Sequence, residues 1–213
     1  MFRSIYHLAS GNALELIEKM AQAKAVSASI RGTLQLASRQ PRLPRVGERA
    51  DLLRRFSAAD VGAFAELSGD GNPLHVNAAF AADPACNPRF HDVPGGPCIV
   101  HGILVASCFS AIFGSLYPGA AYHSQQLRFV NPVPVGATVL ASVEVTHVRK
   151  RVRAVTCATR VLVLPFDGSC NDFSEGAAAG AVDEAGFLAV GAATAIDGEA
   201  VVLLPRMDEV IAS

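Results

Sequence analysis

The segment Ile99–Leu116 is of helical length and carries apolar residues on nearly every side. A helix of that kind belongs in a core, wrapped by other elements, because no face of it is suited to water. Ser107, Ser110 and Gly114 interrupt the apolar run Ile103–Leu116, which is also short of the roughly 20 residues a bilayer span needs. The chain that follows supplies the wrapping. Ser124–Val130, Ala137–Val148 and Val152–Leu164 alternate in polarity or are rich in β-branched residues, and read as strands. Gly136 and the basic cluster Arg149-Lys150-Arg151 fall where turns are needed. Phe187–Ile196 and Glu199–Leu204 read as two last strands, a hairpin turning at Asp197-Gly198. One buried helix followed by a run of antiparallel strands predicts an α+β architecture with the sheet curled around the helix.

The composition permits such a core: 51% of the 213 residues are hydrophobic and 17% charged, which excludes global disorder. Pro41-Arg42-Leu43-Pro44 marks a boundary, so residues 1–45 form a leader and 46–213 the folded domain. The leader carries seven basic side chains (Arg3 and Lys19 among them) against only Glu15 and Glu18, and it opens Met1-Phe2-Arg3-Ser4. Those features suit a mitochondrial transit peptide; a surface helix over Ala13–Ala25 followed by a linker is the plainer reading. Residues 168–186 read as an inserted loop, low in complexity from Gly176 to Gly180. A net charge of −1 leaves no basic surface for nucleic acid. Five cysteines, odd in number and without a CxxC pair, fit free thiols in a reducing compartment and no zinc site.

Before the central helix, Ser57 can cap a helix with Asp60 at its third position, and Phe56 can staple to Val61. The apolar face Val61, Phe64, Ala65 and Leu67 then ends at Ser68-Gly69. Asp70 and His75 follow on a loop pinned by Gly69, Gly71 and Pro73, and Pro73 restricts Asn72 to extended conformations. A carboxylate beside an imidazole can hold one water or one substrate hydroxyl and move its proton. Asp-Gly and Asn-Pro are also ordinary turn chemistry, in which Asp70 bonds only its own backbone. Asn77 is placed to cap a short helix through Ala82 that Pro84 closes.

A second feature is Val100-His101-Gly102-Ile103 at the start of the central helix. First-turn N–H groups lack intrahelical partners, and without a side chain Gly102 lets a ligand carbonyl approach its amide. The positive helix end favours a developing oxyanion there. Helix packing is the alternative for Gly102. For His101 the alternatives are a hydrogen-bonded core histidine and direct contact with substrate.

Phe56-Ser57-x-x-Asp60, Phe64-Ala65-x-Leu67-Ser68-Gly69-Asp70-x-Asn72-Pro73-x-His75 and Val100-His101-Gly102-Ile103-Leu104 resemble the signature of the MaoC-like R-specific enoyl hydratase (hydratase 2) family. The similarity continues through Phe109-Ser110, Phe129-x-x-Pro132 and Val135-Gly136, over about residues 46–165. Within the family the chain looks most like the mitochondrial 3-hydroxyacyl-thioester dehydratases of type 2. Two stretches depart from the pattern, a lengthened 85–98 segment and the 168–186 insertion.

The resemblance implies a hot-dog fold and the reversible dehydration of (R)-3-hydroxyacyl thioesters to trans-2-enoyl thioesters, without metal or redox cofactor. It implies that Asp70 and His75 activate the water, that Asn72 supports their loop and that the Gly102 amide takes the thioester oxygen. Ser110 matches a position near the acyl pocket. The acyl carrier would be coenzyme A or acyl carrier protein, for which Arg89, Arg128 and the Arg149–Arg153 cluster are candidate contacts, and the assembly a homodimer. A hot-dog thioesterase and a non-catalytic acyl-thioester-binding subunit are the competing readings.

Overall fold

A computed structural model describes residues 29–32, 43–164 and 191–205. The leader helix, the transit-peptide reading and the 168–186 insertion lie outside the described residues. Six antiparallel strands form one sheet in the order β1-β2-β4-β5-β6-β3. Their ranges are β1 Ser29–Gly32, β2 Arg49–Arg55, β3 Ala121–Phe129, β4 Thr138–Arg149, β5 Ala154–Val163 and β6 Ala193–Leu203. Within the stretch read as leader, β1 pairs with β2. The helices are α1 Ala58–Ser68, α2 Pro73–Val76, α3 Ala78–Ala82 and α4 Gly102–Leu116.

The helix α4 lies on the concave side of the sheet against β2, β4 and β5. It buries Val105, Cys108, Phe109, Ile112, Phe113 and Leu116, which recur at helical spacing along one face. They meet Val139, Ala141, Val143 and Val145 of β4, which alternate inward as a strand requires. Full burial of a side chain such as Phe109 or Ile112 is worth about 1.5–3 kcal/mol. Two details differ from the sequence reading. The helix starts at Gly102 rather than Ile99, because Val100 donates its N–H to Val133 and Ile99 forms a bridge with Pro134. The described residues cover one face only: Ile103, Ser107 and Ser110 are exposed.

The predicted hairpin at Asp197-Gly198 does not form. The whole of Ala193–Leu203 is one strand, clamped between β3 and β5, with Gly198 opposite both Leu127 and Thr159. A Cβ at Gly198 would overlap the Gln126 carbonyl oxygen. The glycine thus serves close backbone approach inside a sheet, a use that an Asp-Gly pair shares with turns. At the other turns the reading holds: Gly136 adopts φ +88°, and residues 150–153 link β4 to β5.

The expected cap of α1 is present. The Ser57 hydroxyl accepts from the Asp60 amide at 3.1 Å, and the Asp60 carboxylate accepts from the Ser57 amide at 2.8 Å. That backbone hydrogen bond is the main cause holding the Asp60 carboxyl below its ordinary 3.8; the Ser57 hydroxyl and Arg54 act in the same direction against the effect of burial. Ser57→Ala should destabilise the fold by about 1 kcal/mol in denaturant titration. Because folding depresses the Asp60 pKa, its contribution is present at neutral pH and fades as the pH falls through that depressed value. The gap in melting temperature between wild type and Asp60→Asn should therefore close below pH 3.8.

Candidate active site

The α1 helix stops at Gly69, which adopts φ +76° and returns its N–H to the Ala65 carbonyl. The chain then turns through Asp70-Gly71-Asn72 into α2. Asn72 sits at φ −54°, ψ 124°, and its side chain accepts from the Leu74 amide at 3.1 Å. Pro73 occupies the first helical turn, where a missing N–H removes nothing. Asn72 is therefore the cap that starts α2 and points His75 inward. The Asp70 carboxylate accepts from the Asn72 amide at 3.3 Å, the local turn bond that its sequence context allows.

Two backbone carbonyls fix the imidazoles. His75 Nδ1 lies 2.7 Å from the Ile99 oxygen, and His101 Nε2 lies 3.0 Å from the Asp70 main-chain oxygen. A carbonyl oxygen only accepts, so each of these nitrogens carries the proton. Neutral His75 consequently bears its lone pair on Nε2. Ile99 is tied to α2 twice, since its own N–H donates to the Leu74 carbonyl at 3.2 Å. The His75 ring stacks on that of His101 with centroids 3.8 Å apart and planes at 31°, and Phe64 of α1 abuts His101 at 5.0 Å. His75 is half-buried, Asp70 exposed and His101 buried.

Asp70, His75 and His101 each offer a donor atom within 4.8 Å of the others. Two imidazoles bound to one metal at about 2.1 Å would hold their centroids about 4.5–5 Å apart. The observed 3.8 Å separation of the two rings is tighter than that. A carboxylate beside an imidazole can hold one water or hydroxyl between them.

A cavity of about 260 Å³ opens beside the pair, lined by His75, Gly102, Phe90, Phe129, Val105 and Ile196 among others. Its walls are mainly apolar, and Gly102 opens α4 there. No described residue accepts from the Gly102 amide, and His101 makes no side-chain cap to the first turn. A Cβ on Gly102 would lie 2.6 Å from a Phe129 ring carbon, so the glycine also leaves space for that ring. Asp70, His75, Gly102 and His101 are thus brought together, with Asn72 as support. Ser110 is not among the cavity residues: it is exposed, eight residues and about 12 Å further along α4.

Phe90 is a cavity residue that sequence reasoning missed. It comes from the lengthened 85–98 segment, anchored by buried Asn87. The Asn87 side chain donates to the Ala81 carbonyl at 2.8 Å and accepts from the Phe90 amide at 3.1 Å. A lone Asn in a Pro- and Gly-rich stretch carries no signal of that role. The buried thiols are not competing nucleophiles: burial pushes Cys108 up to about 11 and Cys157 up to about 12, which keeps both protonated. The Arg149–Arg153 cluster is also displaced from the site. It adjoins the Ala121 end of β3, about 26 Å along the sheet from Phe129. Arg128 pairs with Asp197 at 2.9 Å, whereas Arg89 is exposed next to Phe90.

Residues 41–164 match the family described as MaoC like domain. The (R)-specific enoyl-CoA hydratase of Aeromonas caviae is 41% identical over 75% of this chain and 95% of its own length. A mitochondrial 3-hydroxyacyl-[acyl-carrier-protein] dehydratase of Arabidopsis thaliana is 31% identical over 78% and 81%. The solved (R)-hydratase from A. caviae involved in PHA biosynthesis superposes with a TM-score of 0.57 at 39% identity, over 76% of this chain and 98% of that one. The close approach at Gly102 has a direct consequence. Gly102→Ala should leave the fold intact but swing the Phe129 ring, and a crystal structure of the variant should show the cavity mouth reshaped; an unmoved ring would contradict this packing.

Proposed function

The chain belongs to the MaoC-like family and is a hot-dog hydratase/dehydratase of 3-hydroxyacyl thioesters, and we propose that Asp70, His75 and Gly102 carry its chemistry on (R)-3-hydroxyacyl substrates. The observation that carries the assignment is geometric: Asp70 and His75 offer polar atoms within 4.8 Å of each other, and His75 lines the same cavity as Gly102, the first residue of α4.

In dehydration, His75 Nε2 takes the C2 proton and the C2–H electron pair becomes the C2=C3 double bond. The thioester carbonyl gathers charge as this happens and is held by the Gly102 amide at the positive end of α4. Such a donor is worth about 3–4 kcal/mol of barrier. The C3–O bond breaks, and the hydroxyl leaves as water with the proton that His75 had taken. The Asp70 carboxylate orients that hydroxyl. The site ends in its starting protonation state, and the reverse sequence adds water. The apolar cavity receives the acyl chain, with Val105 and Ile196 among its walls.

The carrier is acyl carrier protein or coenzyme A, and exposed Arg89 beside the cavity residue Phe90 is the candidate contact for its acidic groups. Two plant relatives named as mitochondrial acyl-carrier-protein dehydratases support a place in mitochondrial fatty acid synthesis. A homodimer is favoured by β3, an edge strand exposed over most of its length with Tyr122 and Phe129 uncovered. No helix among the described residues is long and apolar enough to cross a membrane.

Hydration of crotonyl-CoA, followed by loss of enoyl absorbance, tests the site. Asp70→Asn and His75→Ala should each lower kcat by about 100-fold or more, the scale of general acid–base catalysis. Full activity in both variants would overturn the assignment, and free thiol release at constant enoyl absorbance would favour a thioesterase. Light scattering should give about twice the 22.2 kDa chain mass; a monomer at working concentration would remove the dimer.

A further inference from the structure

We infer that His101 is the positioning residue of this site, the single side chain that sets Asp70, His75 and Gly102 relative to one another. The inference rests on the site proposed above. His101 is 2% exposed, far more buried than a group that contacts substrate through a cavity wall, and the cavity lining passes from Val100 to Gly102 without it.

Three contacts define what the side chain does. Its Nε2–H donates to the Asp70 main-chain oxygen, which fixes the loop that carries the carboxylate. Its ring lies against that of His75 at 3.8 Å, while Ile99 holds the far edge of His75 through Nδ1. The imidazole of His75 is thereby restrained both in its plane and across it. The backbone of His101 is itself the cap residue of α4, so the next amide along the chain is that of Gly102. One residue therefore joins the acid/base pair to the oxyanion donor through a side chain and one peptide unit.

The remaining nitrogen distinguishes this arrangement from an ordinary core histidine. Nδ1 of His101 is buried with no hydrogen-bond partner among the described residues. Leaving a buried polar atom unpaired is unfavourable, and an apolar side chain of similar shape would avoid it. A phenylalanine would fill the space and stack on Phe64, but it could not hold the Asp70 carbonyl. The histidine is explained by Nε2 together with the ring face, and both act on site residues.

The test uses His101→Phe, which keeps a ring to stack, and His101→Gln, which keeps an amide N–H near the Nε2 position. Crotonyl-CoA hydration by the full chain should show kcat reduced by roughly 10- to 100-fold in both, with KM changed less than about threefold, since misplacement of reacting groups slows chemistry more than binding. Thermal melting checks that each variant is folded. The deciding arm is a double-mutant cycle against His75→Ala. A positioning role makes His101→Phe nearly silent once His75 is gone, because the group it orients is absent; a purely structural role makes the two losses multiply. Multiplying losses, or a folded His101→Phe with wild-type kcat, would overturn the inference while His75→Ala remained impaired. If His75→Ala itself kept full activity, the failure would lie with the site assignment instead.

Discussion

The two carbonyl oxygens of Asp70 and Ile99 have no backbone donor among the described residues, and each accepts a hydrogen bond from an imidazole N–H. That constraint decides which nitrogen of each ring carries hydrogen, and so which nitrogen of His75 keeps its lone pair. Neither carbonyl belongs to a regular strand or helix ladder. One ends the loop after α1, and the other lies in the crossing from the 85–98 segment to α4. The irregular backbone at these points is what makes the acceptors available, and the stacked histidines are what keep it ordered.

The sheet and α4 matter to the site mainly as a frame. The inward rows of β4 and β5 bury one face of α4, which fixes the direction of its axis and hence where its first amides point. Tethers from Val100 to Val133 and from Val135 to Cys98 set the entry of the chain into α4 against the segment that follows β3. On the other side, Ile99 reaches back to Leu74, which ties α2 to the segment leading into α4. The cavity lies in the angle between these pieces. Its walls are mainly apolar, with His75 and Gly102 among the residues that line it.

Much of this was legible in the sequence, because local chemistry agreed with the fold. Ser57 and Asp60 wrote the start of α1, Gly69 its end, and alternation in Ala137–Val148 gave the central strand nearly to its boundaries. Asp70, His75 and Gly102 were read as candidates from their place in an ordered pattern, and His75 lies near Asp70 and lines one cavity with Gly102. The failures have physical causes. Asp197-Gly198 carries a turn signal, but pairing on both sides and the approach of Gln126 make it strand. The apolar run of α4 implied cover on all sides, yet the described residues cover only one face. The sequence left His101 between a core histidine and a substrate contact, because its hydrogen-bond partner is a loop carbonyl 31 residues away. The basic residues at Arg149–Arg153, read from sequence as a turn and as a candidate carrier contact, form the turn between β4 and β5.

The central claim is that a carboxylate, an imidazole Nε2 and a helix-terminal amide converge on one acyl thioester. A crystal structure with a 3-hydroxyacyl-CoA bound tests it most directly. The account predicts the thioester oxygen within about 3 Å of the Gly102 amide nitrogen. It also predicts the 3-hydroxyl between the Asp70 carboxylate and His75 Nε2, with His75 Nδ1 still on the Ile99 carbonyl. A thioester seated away from Gly102, or a His75 ring turned to offer Nδ1, would contradict it.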